Sequence, residues 1–329
     1  MLTGLKESII QRNKIQKSTG MVREMMRKRS AICWLILLVL CLSAAPGLGE
    51  EKYTLPIDFS PGMPIREEFF VSDLEYEDPT LKVKITEGQL NSCDYWIADI
   101  EIADPSQLRT ISADGFDSNG LAPPERMAKH MNAVLAFNGD YFSYKGRDVV
   151  IRQGTTYLNR ILTPYRDILA IDEDGNFNAF FKPDKDEIGE TVNGKKIINA
   201  FSFGPYLIHE GKNWWNGASD ESATPEEKCQ RIAFCQIGPL KYRVVCCGPL
   251  DGQIYGVGKG MTLDDFRWFL RKMGDIQEAY NLDGGDSTFM IFNGKKINFP
   301  ENPNARDGKN NREGLPDLIY FASAYPGDN

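Results

Sequence analysis

Short apolar runs rich in β-branched and aromatic residues, punctuated by Asx-Gly dipeptides, constrain this chain more than any other feature of its sequence. Leu81 to Thr86, Tyr95 to Ile102, Ala133 to Phe137, Tyr242 to Cys247 and Thr288 to Phe292 each read as a strand. Asp174-Gly175, Asn193-Gly194 and Asn293-Gly294 fall between such runs, and both residues of each pair tolerate the positive φ of a two-residue hairpin. Two helices interrupt the strands. Pro123 to Met131 opens with prolines and continues with good helix formers. Thr262 and Asp265 resemble a capping box, after which Phe266, Phe269, Leu270 and Met273 share one face and Gly274 stops the helix. That face is read as core packing. With no internal repeat, the pattern predicts a single α+β domain over residues 81–329, with a mixed or antiparallel β-sheet core and a few packed helices. Residues 50–80, rich in proline and acids, are expected to form a linker or extended arm.

Charge is distributed unevenly. Residues 1–49 carry eight Lys and Arg and two acids, so 30 basic and 44 acidic residues remain beyond them, a net charge of −14. Nucleic-acid binding needs a basic footprint, and the body has none. Arg23, Arg27, Lys28 and Arg29 precede the apolar run Ala31 to Leu42, and small residues at Ser43, Ala44, Ala45, Gly47 and Gly49 follow. This leader is a secretion signal or, with the uncharged stretch 31–49, an N-terminal membrane attachment. Both readings make the body secreted or exposed at the cell surface.

Two histidines, His130 and His209, cannot build a three-histidine zinc site, and there is no HExxH or paired CxxC motif. Neither a metal nor another cofactor is expected. The body's five cysteines, Cys93, Cys229, Cys235, Cys246 and Cys247, read mainly as buried thiols, with the adjacent Cys246 and Cys247 on opposite faces of a strand. His209 is expected to be solvated at a hairpin tip, and Trp214 and Trp215 to anchor a loop. Chemistry must rest on carboxylates, amides, hydroxyls and arginines.

Three constellations could carry it. Asn138-Gly139-Asp140 ends an apolar run, so that an amide and a carboxylate meet at a strand's rim. Asn281-Leu282-Asp283-Gly284-Gly285-Asp286-Ser287 surrounds two glycines with carboxylates and a hydroxyl, a set richer than a simple turn needs. Arg231 heads a strand and Arg312 lies in a polar turn, where a guanidinium could hold an anion.

In order along the chain, these residues resemble the phosphodiester glycosidase family. The resemblance rests on residues 138 to 142, Gly204-Pro205-Tyr206-Leu207, Arg231-Ile232-Ala233, Gly260-Met261-Thr262-Leu263, Asn281 to Gly285, and Arg312 to Phe321. It implies hydrolysis of a sugar-1-phosphodiester, or of a phosphodiester-linked glycan such as an exopolysaccharide, at the bond to the anomeric carbon. Asp283 would attack that carbon or activate water, while Arg231 and Arg312 would hold the phosphate. Asn138, Asp140, Gly204, Asn281, Gly284, Gly285, Asp286 and Ser287 would contact substrate or support the site. Asp140 and Asp286 stand where family members often carry glycine, and extra carboxylates beside an anion must be protonated, paired or turned away. The alternatives are a metal-dependent phosphodiesterase using Asp140, Asp283 and Asp286, and a cell-envelope glycan-binding module without turnover.

Overall fold

Along the strand Leu81–Leu90, Leu81, Val83 and Ile85 are buried while Lys82, Lys84 and Thr86 are exposed, the period of two that the sequence predicts. The computed structural model describes residues 53–90, 93–143, 148–162, 166–183, 188–215, 223–249, 260–298 and 314–327. Among them are three antiparallel sheets. The nine-stranded sheet runs Phe70–Ser72, Glu75–Glu77, Leu81–Leu90, Cys93–Ile102, Lys241–Pro249, Arg231–Gly238, Glu278–Asn281, Tyr206–His209, Lys212–Asn213. A six-stranded sheet follows the order Phe177–Phe180, Ile168–Asp172, Lys195–Phe201, Val149–Arg152, Thr155–Asn159, with Thr191–Val192 also paired to Lys195–Phe201. The five-stranded sheet is ordered Lys295–Lys296, Met290–Phe292, Ala133–Asn138, Asp317–Ala322, Leu108–Ser112.

One core lies between the inner faces of all three. Phe234 of the nine-stranded sheet meets Phe137 of the five-stranded sheet at 5.0 Å between ring centroids, and Phe177 of the six-stranded sheet at 4.8 Å. Cys246 faces this core and Cys247 the opposite side, as strand alternation requires. On the outer face of the nine-stranded sheet, the helix Leu263–Met273 lays Leu263, Phe266, Phe269 and Leu270 over Ala233, Cys235, Val245 and Cys247. Thr262 Oγ1 accepts from Asp265 N at 3.1 Å, and Gly274 ends the helix at φ 85°. The second helix, Pro124–His130, covers the five-stranded sheet with Met127 and Ala128.

The α+β class expected from sequence is the fold adopted. The expected arm is different: from Tyr53 onward the chain belongs to the same compact unit, and Phe70–Ser72 and Glu75–Glu77 are strands of the large sheet. Arg109, fully buried, ties this segment down through Nη1 to Pro56 O (2.7 Å) and Nη2 to Asp58 O (2.9 Å) and Ser60 O (3.0 Å). The acids and prolines of the segment hid this, because its anchor is an arginine about fifty residues away in sequence. The leader lies outside the described residues. No described helix is long and apolar enough to cross a membrane.

Candidate active site

The strands Ala133–Asn138 and Glu278–Asn281 belong to different sheets, yet their C-terminal ends meet. Asn138 joins them: its Nδ2 donates to Asp283 O at 2.8 Å and its Oδ1 accepts from Phe289 N at 3.1 Å. The first two constellations are therefore brought together. Asn138 is itself buried, with its amide spent on main chain. Asn281 is also buried; its Nδ2 donates to Gly204 O at 2.8 Å, which draws the cis Gly204-Pro205 segment against the signature turn.

Geometry requires the first glycine of that turn and favours the second. A Cβ on Gly284 would stand 2.6 Å from Gln230 O, and Gly285 adopts φ +57° with its N–H donated to Gln230 O at 2.9 Å. The Gly285 N–H is thus occupied by the protein. Beyond it a 3₁₀ turn, Gly285–Ser287, exposes Asp286 and buries Ser287, while Asp283 is half-buried at the rim. Beside Asp283 lies Cys229, whose thiol is pushed up by burial against the opposing pull of Arg231.

Arg231 is in the neighbourhood, but its donors point into the protein. Nε donates to Met261 O (3.1 Å), Nη1 to Ala223 O (2.6 Å), and Nη2 to Thr224 O (2.8 Å) and Glu227 O (2.7 Å). Four of its five N–H groups are used, so the expected phosphate contact is replaced by a clamp on residues 223–229 and Met261. Arg312 lies outside the described residues.

Asp140 is not a surface ligand either. Its Oδ1 accepts from Arg152 Nη2 at 2.7 Å and its Oδ2 from Ser202 N at 2.9 Å, all within a buried setting. The same Arg152 Nη2 is 3.7 Å from Asp317 Oδ2. Asp317 is fully buried, neither of its oxygens has a hydrogen-bond partner, and its carboxyl is pressed against Gly139, where a Cβ would lie 2.1 Å from Oδ2. Burial, then the charge of Asp140, raise the Asp317 carboxyl well above the usual carboxylate range; Arg152 opposes this and Asp283 adds to it. Asp140 accepts two donors, whereas Asp317 accepts none.

Sequence reasoning missed Arg152 and Asp317. The signal existed: Val149-Val150-Ile151-Arg152 and Leu315-Pro316-Asp317-Leu318 each set a charge against an apolar run. His209, expected in solvent, is half-buried with Nδ1 2.9 Å from Glu278 Oε2, in a ring contact of 5.0 Å with Trp214. Trp215 is buried as an anchor, whereas Trp214 stacks on Phe181 at 4.1 Å with its edge exposed. Among the described residues, no three His, Cys, Asp or Glu side chains are grouped so as to hold a metal ion.

A sequence model described as phosphodiester glycosidase matches residues 131–320, more than half of the chain. No curated protein matches the chain in sequence. Among solved structures, the fold is similar to the catalytic domain of zebrafish N-acetylglucosamine-1-phosphodiester alpha-N-acetylglucosaminidase, described as auto-inhibited by its pro-peptide, with a TM-score of 0.57 and 17% identity over 80% of this chain and 87% of that one. A hypothetical protein from Synechocystis aligns with a TM-score of 0.43 and 15% identity over 73% of this chain and 62% of its own. The matched span contains the joined strand ends, both glycines of the turn and the buried Arg152 cluster, and on it the chain belongs to the phosphodiester glycosidase family.

Proposed function

We propose that this protein is an extracytoplasmic hydrolase that cleaves the glycosidic bond between a sugar and a phosphodiester, with Asp283 acting at the anomeric carbon. The observation that carries this reading is the meeting of two strand ends at Asn138 and Asp283, where Asp283 stands half-buried at the rim while Asp140 and Asp317 are shut inside. A half-buried carboxylate on a turn fixed by main-chain bonds is suited to attack a sugar carbon or to activate water. The departing phosphate monoester has a second pKa of about 6, so it leaves with little help from an acid. Local positive charge for the phosphate falls in this reading to Arg312, while Arg231 fixes residues 223–229 beside Asp283. Asn138 and Asn281 hold the rim in shape; Gly284, Asp286 and Ser287 border it.

Hydrolysis of a sugar-1-phosphodiester in ¹⁸O-labelled water tests the reading. Label in the freed sugar supports it. Label in the phosphate instead indicates phosphorus–oxygen cleavage, and tight binding without either product indicates a glycan-binding module; both outcomes overturn it.

A further inference from the structure

The Arg152 cluster is the largest concentration of buried charge near the site, and its charges do not balance. Asp140 and Asp317 are both buried, Asp283 lies close enough to act on Asp317, and among the described residues one guanidinium is shared by Asp140 and Asp317. Arg152 gives its short contact to Asp140 and only a 3.7 Å approach to Asp317. Among the described residues, the other elements packed against Asp317 offer no further cation. On the strand Leu108–Ser112 it is in register with Ser112, and the Arg109 guanidinium of that strand is turned away to Pro56, Ser60 and Tyr320. On the opposite side Gly139 closes the space around Oδ2. A carboxylate held this way would be a buried charge with no donor, a costly state that protonation removes.

We propose that Asp317 is a positioning residue that holds a proton in the working enzyme, and that loss of this proton sets the alkaline limit for hydrolysis of an anionic phosphodiester. The inference rests on the reading of Asp283 as the reacting carboxylate. With Asp317 neutral, Asp283 faces one buried carboxylate that is already paired with Arg152. With Asp317 ionised, a second negative charge, held only by the 3.7 Å approach of an Arg152 already paired with Asp140, stands behind Asp283 and repels the phosphodiester as it approaches. Binding suffers before chemistry does, so KM for an anionic substrate rises more than kcat falls. The chain thereby meets the requirement set by its extra carboxylates: Asp140 is paired, Asp286 is turned to solvent, and Asp317 is protonated.

Asp317→Asn is the test, because asparagine keeps the shape of the neutral acid. The wild-type kcat/KM on a sugar-1-phosphodiester should fall about tenfold per pH unit above its alkaline limit. Asp317→Asn should match the wild type on the acid side within about threefold and lose that limb. A variant that keeps the limb at the same pH overturns the proposal, as does a folded variant inactive at every pH, which would make Asp317 a reacting group. Carbon-13 titration of the aspartate carboxyls in the wild-type protein gives a readout independent of turnover. One resonance, absent from Asp317→Asn, should remain in the protonated position at pH 7, and titration of that resonance in the ordinary carboxylate range overturns the proposal. A wild type without turnover overturns the proposed reaction alone, and the carboxyl spectrum then decides the proton.

Discussion

Replacing Arg152 with methionine isolates what one buried cation does for this fold. Methionine retains an unbranched stem against Phe201, whose ring the guanidinium covers at 4.2 Å, but removes the charge and all five donors. Asp140 loses its 2.7 Å partner and keeps only Ser202 N; the Ala200 carbonyl loses the Nη1 donor. Removing one side of a buried pair costs about 3–5 kcal/mol, and an orphaned buried carbonyl costs about 1–3 kcal/mol, the two overlapping rather than adding. A loss of about 4 kcal/mol at neutral pH is therefore expected, a fall in Tm on the order of 10 °C for a domain of this size. The loss should shrink on acidification, because the carboxyls left behind can neutralise themselves by taking up protons. Urea denaturation followed by tryptophan fluorescence at pH 7.5 and pH 5 measures both. A loss under about 1 kcal/mol at neutral pH, or one that is the same at the two pH values, would refute the assignment of Arg152 as the counter-charge of the cluster.

Four further outcomes can be checked directly. Asp283→Asn should lower kcat by about 10²-fold or more with the unfolding midpoint little changed; a near-normal rate would remove Asp283 from the mechanism. Arg231→Lys should speed proteolytic cleavage within residues 223–229, since an ammonium with three donors cannot replace four carbonyl contacts; if cleavage is unchanged while KM for the phosphodiester rises, Arg231 binds phosphate after all. In the native protein a thiol reagent should label Cys229 slowly and leave Cys93, Cys235, Cys246 and Cys247 untouched, because burial raises the thiols of Cys229, Cys235, Cys246 and Cys247 and Cys93 is itself buried; rapid labelling of any of these five would contradict the burial. Asp317→Asn should also flatten the alkaline fall in stability. The raised Asp317 carboxyl contributes most below the ordinary carboxylate range, and that contribution is lost as pH rises through its folded-state value.

Local features were readable in the chain itself. Asn193 and Gly194 adopt φ of 52° and 78°, and Asn293 and Gly294 of 49° and 66°, because the dipeptide's own sterics favour a mirror-image turn. Thr262 caps its helix for the same kind of reason, through a donor three residues away. The pairing of the Asn138 turn with the Asp283 turn was suggested only by their shared place in a family pattern. Arg231 shows where residue type stops being informative. A guanidinium suits a phosphate and a cluster of carbonyls equally well, and the choice between them is made by what the chain folds against it.

The sequence by itself determined the strand periodicity, the hairpin turns and the capped helix, all of which depend on sterics and hydrogen bonds within a few residues; the two glycines of the signature turn are visible in it, but the group they pack against, Gln230 O, is brought to them only by the fold. Tertiary structure alone decided which carboxylates are buried and which stands half-buried at the rim. Arg152 lies on the six-stranded sheet, Asp317 on the five-stranded sheet and Asp140 in the turn after Asn138, and an aspartate is a ligand, an ion-pair partner or a neutral acid according to the charge and solvent that folding leaves around it.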